Sequence, residues 1–207
     1  MKQYGFHFDG TRCVGCKACQ IACNDYYHLP EGISFRQVYE YTGGTFEENP
    51  DGTFSHNVWS YPLSQCCNHC VNPVCVTVCP TTAMHKDMES GFVWVDHDKC
   101  IGCQYCVLAC PYGVPRLNAE TGMVDKCDGC RERVSRDEMP VCVEACPQRA
   151  LDFMLTPNLA EEHGYHSQMA PLPDPAFTRP NLAIEPNRNA KPTNYDGGFL
   201  GNAEEVL

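Results

Sequence analysis

Cys100-Ile101-Gly102-Cys103-Gln104-Tyr105-Cys106-Val107-Leu108-Ala109-Cys110-Pro111 packs four thiols into eleven residues and closes on a proline. The same spacing, C-x2-C-x2-C-x3-C, recurs at Cys13, Cys16, Cys19 and Cys23. Two looser groups follow the plan: Cys67, Cys70, Cys75 and Cys79 before Pro80, and Cys127, Cys130, Cys142 and Cys146 before Pro147. Sixteen of the 17 cysteines belong to these four groups. Cys66 is left over, because Cys67 provides the two-residue gap to Cys70.

Three chemistries compete for so many thiols. A disulfide framework suits a small secreted chain with an even cysteine count and has no preference for two-residue gaps. Here the count is odd. A structural zinc site draws four ligands from two separated C-x2-C knuckles, and a zinc-binding module stands as the alternative of another class. Four thiols within eleven residues, closed by proline, form the pattern of bacterial [4Fe–4S] ferredoxins. Two-residue gaps let a short loop wrap one cubane, with three thiolates on three irons and freed backbone N–H groups facing sulfur. The fourth cysteine points away and ligates the other cluster of a pair. Proline after it fixes φ where no N–H is wanted. Sixteen thiols therefore read as four cubanes, with iron held through all sixteen.

The rest of the composition fits a chain folded around metal. Hydrophobic residues make up 43 % of 207 with the cysteines counted, and Gly and Pro number 16 each. That is thin for one oily core. The net charge of −11, with no basic run, excludes nucleic-acid binding through phosphate neutralisation. No apolar stretch reaches the roughly 18 residues of a membrane span. The opening residues lack the apolar run of a secretory signal and a twin-Arg pair. Gly43-Gly44 and Gly197-Gly198 are isolated doublets, not a nucleotide loop. No catalytic constellation stands out, so a non-catalytic role is expected.

Strand-like flanks bear on which groups pair. Tyr4-Gly5-Phe6-His7-Phe8 leads into the first group and Gly91-Phe92-Val93-Trp94-Val95 into the third. Thr82-Ala83-Met84-His85 follows the second and Arg149-Ala150-Leu151-Asp152-Phe153 the fourth. A two-cluster ferredoxin unit runs strand, ligand loop, hairpin, ligand loop, strand. The second and third groups, joined through residues 87–91, form one such unit, and the first and fourth groups supply both outer runs of another. Pairing first with second and third with fourth is the alternative, and leaves 43 residues between Cys23 and Cys67. Under nested pairing the ligand sets are Cys13, Cys16, Cys19 and Cys146; Cys127, Cys130, Cys142 and Cys23; Cys67, Cys70, Cys75 and Cys110; and Cys100, Cys103, Cys106 and Cys79. The expected fold is α+β: two nested ferredoxin-like units, residues 1–60 with 121–155 and residues 61–120, followed by a tail over 156–207.

Between the first two groups, residues 34–41 and 56–63 alternate like strands around turns at Gly43-Gly44 and Asn49-Pro50-Asp51-Gly52, which predicts an inserted β-hairpin. The insert at residues 131–141 reads as a solvated helical turn, with partner docking through Arg131, Arg133 and Arg136 as the competing use. After Phe153 the chain is proline-rich, with one short helical candidate at residues 158–164; it suits an extended strap over another surface. His69, His85 and His97 lie near the ligand loops, but every group already has four thiols, so none is needed as a ligand. Cys66 reads as a packed thiol.

The chain also resembles the electron-transfer iron–sulfur subunits of the DMSO reductase family of molybdenum enzymes. The resemblance rests on Gln3-Tyr4-Gly5-Phe6, Ser34-Phe35-Arg36 with Tyr39-Glu40-Tyr41, Cys67-Asn68-His69-Cys70 and Ala83-Met84-His85-Lys86. It continues through Cys100-Ile101-Gly102-Cys103, Lys126-Cys127-Asp128-Gly129-Cys130, Ala170-Pro171-Leu172-Pro173 and Phe177-Thr178-Arg179-Pro180-Asn181. It implies nested pairing and four [4Fe–4S] clusters that relay electrons from a quinol-oxidising membrane anchor to a molybdopterin catalytic subunit. Dimethyl sulfoxide is the implied terminal substrate, with thiosulfate, polysulfide, selenate or formate enzymes as the alternative. The resemblance places the second and third groups toward the anchor and the first and fourth toward the catalytic subunit. Relatives in nitrate reductases carry Trp at the position of Cys103 and hold a [3Fe–4S] cluster there, so Cys103 implies a cubane. The complex is expected peripherally on the bacterial cytoplasmic membrane, on the cytoplasmic side or exported with a twin-Arg partner.

Each oxidised cubane with four thiolates carries roughly −2, so four add about −8 to the chain's charge. Positive groups near sulfur are needed for electrons to be added. Lys17, Lys99 and Lys126 lie beside ligand runs and are the candidates, in competition with a plain solvated role.

Overall fold

A computed structural model of the chain describes residues 3–156 and 168–206. The chain opens with β1 (Gln3–Asp9) and passes through the first cysteine loop into α1 (Ala18–Tyr26). Strand β2 (Gln37–Gly43) runs through a small hairpin, β3 (Phe46–Glu48) and β4 (Phe54–His56), into β5 (Trp59–Gln65). The second group carries α2 (Val74–Thr77) and leads to the pair β6 (Met84–Lys86) and β7 (Val93–Val95). The third carries α3 (Tyr105–Ala109), followed by β8 (Arg116–Leu117) and β9 (Val124–Asp125). The fourth carries α4 (Arg131–Val134) and α5 (Val141–Glu144) before β10 (Leu151–Thr156). The tail adds β11 (Leu182–Glu185), β12 (Gly198–Leu200) and a helical turn, Ala203–Val206. Helices this short have no stability of their own in water; they are held by what the cysteine loops pack against.

The outer strands of the first and fourth groups meet. β1 pairs antiparallel with β10, with Phe6 opposite Phe153, and α1 packs on α5. β6 pairs with β7, and α2 packs on α3, which brings the second and third groups together. Phe6, Phe8, Leu151 and Phe153 form the apolar layer beneath the first sheet, and Met84, Val93 and Val124 pack with Cys75 and Cys106 in a smaller core.

The inserted hairpin is present, as β2 paired with β5, with shifted bounds. Residues 34–36 are not strand: Phe35 and Arg36 form a bend whose two side chains are both buried, and the strand begins at Gln37. His56 belongs to the small tip hairpin instead, and the return strand begins at Trp59. The insert is a helical turn as expected, and its arginines engage their own neighbours. Arg133 pairs with Glu144 at 2.6 Å, Arg136 with Glu132 at 2.8 Å, and the Arg131 guanidinium lies 4.0 Å from the Trp94 ring centroid.

The tail is more than a strap. β11 adds parallel to the free edge of β1, with Phe6 opposite Leu182, and β12 adds to β2. Leu182, Ala183 and Ile184 are all buried, so this strand is covered on both faces. That explains a continuous apolar run between Pro180 and Pro186 where alternation would otherwise be expected. Asn181 Nδ2 donates to the Tyr4 carbonyl at 2.9 Å, and the Asn202 amide donates to Val38 O and accepts from Glu40 N, both at 2.8 Å. The helical candidate at residues 158–164 lies outside the described residues.

Ile184→Ala should lower the unfolding free energy of the metal-loaded chain by about 2–4 kcal/mol, through lost burial and a residual cavity. Phe177→Ala, at an exposed turn position, should change it by less than about 0.5 kcal/mol. Anaerobic denaturant titration measures both; equal effects would contradict the docked tail.

Candidate iron–sulfur centres

The four ligand loops share one backbone device. The residue before the second cysteine has positive φ in each: Gly15 at 70°, His69 at 44°, Gly102 at 65° and Gly129 at 77°. Residues that alternate between right- and left-handed conformations turn successive N–H groups inward, and such a concavity receives anionic sulfur. Gly129 has a second requirement, because a Cβ there would lie 2.5 Å from the Phe92 ring.

None of the 17 cysteines is in a disulfide, and the folded loops collect sixteen of them by fours. Cys13, Cys16, Cys19 and Cys146 line one cavity of about 330 Å³, mouth included. Cys79, Cys100, Cys103 and Cys106 line another of similar size, about 290 Å³. In the interior, Cys23 lies within the field of Cys127, Cys142 and Cys130. Cys75 lies likewise within that of Cys67, Cys110 and Cys70. Neighbouring quartets lie close to one another in series. Cys75 and Cys106 share one small core, Cys67 and Cys127 act on each other's charge, and so do Cys142 and Cys19. Cys103 and Cys16, in the two end quartets, are exposed, whereas the others are buried or half-buried.

The chemistry of these sites fits [4Fe–4S]. Burial disfavours thiolate in an iron-free pocket, and raises Cys13 and Cys106 to about 11 and Cys70, Cys75 and Cys130 to about 12. Iron replaces those protons and neutralises the sulfur charge. Among the described residues, no three or more His, Cys, Asp or Glu converge on a single-ion site. Tetrahedral zinc requires four sulfurs about 2.3 Å from one centre, whereas a cubane spreads its thiolates over four irons. Buried donors also await acceptors: Arg36 Nε and His69 Nε2 have no hydrogen-bond partner, and both lie beside cysteine sulfurs.

The positive groups sort differently from the sequence expectation. Lys17 faces outward and pairs with Glu205 and Glu40, and Lys99 pairs with Asp96 at 2.7 Å. Neither serves sulfur directly, because a nearby surface carboxylate takes each charge. Lys126 does turn inward: it is buried, and Nζ lies 3.6 Å from Cys67 Sγ. Arg36, which the motif spacing did not single out, is fully enclosed, donates to Cys66 Sγ at 2.8 Å and to Ser64 Oγ at 2.9 Å, and packs over Phe6. Burial would lower both cations, but the surrounding thiolates outweigh it and keep them charged. Lys86 donates to the carbonyls of His69, Cys70 and Gly91, and so braces the second loop. Cys66 is a buried thiol, as expected, and its contact with Arg36 accounts for its position. His85 and His97 face carboxylates, Asp96 and Asp125, away from the quartets.

Residues 58–155 match the 4Fe-4S dicluster domain family. The chain is 52 % identical over 204 residues to the B subunit of anaerobic dimethyl sulfoxide reductase from Escherichia coli (strain K12), covering 99 % of this chain and 98 % of the relative. It has the same identity and coverage with YnfG of that strain, a probable anaerobic dimethyl sulfoxide reductase subunit. With the corresponding B subunit of Haemophilus influenzae it is 48 % identical over 206 residues, the full length of both. The chain belongs to the iron–sulfur family formed by the B subunits of anaerobic dimethyl sulfoxide reductases.

Proposed function

We propose that the chain is an electron-transfer subunit that holds four [4Fe–4S] clusters in two nested ferredoxin-like units. It relays single electrons between a quinol-oxidising membrane anchor and a molybdopterin catalytic subunit. The observation that carries this reading is the serial proximity of four cysteine quartets with an exposed cysteine at each end. Two enclosed quartets between two that each expose one cysteine suit conduction between two partners, and give a purely structural module no advantage.

The ligand sets follow the quartets. Cys13, Cys16, Cys19 and Cys146 hold one end cluster, and Cys79, Cys100, Cys103 and Cys106 the other; Cys23, Cys127, Cys130 and Cys142, and Cys67, Cys70, Cys75 and Cys110, hold the inner pair. The clusters supply one-electron redox chemistry. This chain's own residues enclose them, exclude water from the inner pair and direct N–H groups and cations at sulfur. Pairing of β1 with β10 and of β6 with β7 supports units at residues 1–60 with 121–155 and at 61–120. Exposed Val14 and Ile21 flank Cys16, and exposed Ile101, Tyr105 and Leu108 flank Cys103. These two apolar patches suit the catalytic subunit and the anchor respectively. No helix of the described residues is long and apolar enough to cross a membrane; the chain is proposed to sit peripherally on the bacterial cytoplasmic membrane through the anchor, either on the cytoplasmic side or exported with a twin-Arg partner. Dimethyl sulfoxide is the proposed terminal acceptor, from the names of the relatives. The substrate is chosen outside this chain, and assay of the co-purified large subunit against S-oxides, N-oxides, thiosulfate and selenate tests it.

Cys103→Ser in the anaerobically purified complex should convert one end cluster to [3Fe–4S], raise its potential and reduce iron from about sixteen to about fifteen per chain. An unchanged EPR spectrum with full iron content sinks that ligand assignment.

Stripping iron with a chelator under reducing conditions should abolish near-UV circular dichroism, because the loops lose what they wrap. Any fold that survives should weaken as pH rises from 9 toward 12. The folded-state thiols have raised pKa values, so the unfolded chain releases its protons first and stability falls across that window. A stripped chain equally stable at pH 7 and pH 11 contradicts the buried quartets.

A further inference from the structure

Three of the four ligand loops place glycine before the second cysteine, in the left-handed region where a side chain is disfavoured. The second loop places His69 there instead, at φ 44°, and its side chain is wholly buried. The imidazole reaches out of its own loop into another: a Cβ built on Gly129, between Cys127 and Cys130, would lie 3.2 Å from His69 Nε2. Phe92 packs edge-on against the ring at 5.4 Å. The Val93 N–H donates to Nδ1 at 2.9 Å. Nδ1 is therefore the acceptor and Nε2 carries the hydrogen. Nε2 has no hydrogen-bond partner of its own and faces the sulfurs of Cys67 and Cys127.

Lys126 closes on the same place. Its Nζ lies 3.6 Å from Cys67 Sγ, and it donates to the carbonyls of Val93 and of Cys127, the latter at 2.6 Å. Val93 thus orients both groups, His69 through its N–H and Lys126 through its C=O. Among the described residues no carboxylate forms an ion pair with Lys126. A buried ammonium needs an anionic partner; the strongest charges acting on Lys126 are the sulfurs of Cys67 and Cys127, ligands of two different quartets, with Asp128 behind them.

We propose that His69 and Lys126 are positioning residues that bridge the Cys67 and Cys127 quartets and raise the reduction potentials of both inner clusters together. This rests on the reading that those quartets hold clusters. One electron leaves one inner site as one arrives at the other; no proton moves, no bond changes and no further reactant enters. Added negative charge at either site meets the same two donors in a low-dielectric interior. A shared donor pair moves both potentials in the same direction, so the difference between the two sites is preserved while both become easier to reduce.

The test is an EPR-monitored redox titration of the purified anaerobic complex carrying His69→Leu, Lys126→Met or His69→Gln. In His69→Leu and Lys126→Met, two of the four transitions should move to lower potential. Each should change the reduced-to-oxidised ratio at fixed poise about tenfold or more, about 59 mV for one electron; the other two should change less than about threefold. Gln can accept from the Val93 N–H and donate to sulfur, so His69→Gln should recover most of the shift. Unmoved potentials, or four equal shifts, overturn the bridge. So does iron loss in both Lys126→Met and His69→Gln, because it shows a structural role only. The iron content of the unaltered complex separates the underlying reading: far fewer than about sixteen removes the four-cluster assignment, whereas full iron with unmoved potentials removes only the bridge.

Discussion

An oxidised cubane with four thiolates carries about −2, and two of the four sites lie inside a chain whose own net charge is −11. Negative charge cannot be buried without donors, and each added electron makes the demand larger. Much of the fold answers this constraint. Left-handed residues in every ligand loop turn N–H groups inward, and Arg36, His69 and Lys126 occupy interior positions that an ordinary apolar core would exclude. Glu205, Glu40 and Asp96 lie away from sulfur and take up the lysines Lys17 and Lys99. Cations are therefore gathered beside the inner quartets although the chain's net charge is negative.

The same requirement explains why metal and fold are hard to separate. α2, α4 and α5 have four residues each and α3 has five, too few to persist without a partner. Each begins or ends at a cysteine loop. The apolar layer under β1 and β10 stabilises one side of the molecule, and the tail strand β11 completes it. These short helices depend on the loops they adjoin, so iron binding there couples to folding.

Much of this is legible in the sequence, for a local reason. A loop around a cubane is short, so its spacing is written in adjacent residues, and the strand-like flanks at Tyr4 to Phe8 and Leu151 to Phe153 are likewise local. Long-range contacts are not legible. The run Leu182-Ala183-Ile184 is too short to announce a strand; only the free edge of β1 makes it one. Arg36 sits in no cysteine motif, 30 residues from the Cys66 sulfur it touches. His69 does carry a signal: with the four loops aligned on their cysteines, one position reads Gly, His, Gly and Gly, and the exception is the residue that reaches into another ligand loop. Lys17 and Lys99 mislead, because adjacency to a ligand does not set the direction of a side chain. Lys126 is also adjacent to a cysteine, yet the Val93 and Cys127 carbonyls draw it inward.

The central claim is that four [4Fe–4S] clusters stand in series, each held by three cysteines of one group and one of its nested partner. Anomalous diffraction at the iron edge from anaerobic crystals of the complex tests this most directly. The account predicts four iron peaks in a row, ordered from the Cys103 quartet through the Cys67 and Cys127 quartets to the Cys16 quartet, with Cys146 and Cys110 each at a cluster of another group. Zinc scattering, fewer than four iron sites, or a cluster shared between the first and second groups would contradict it.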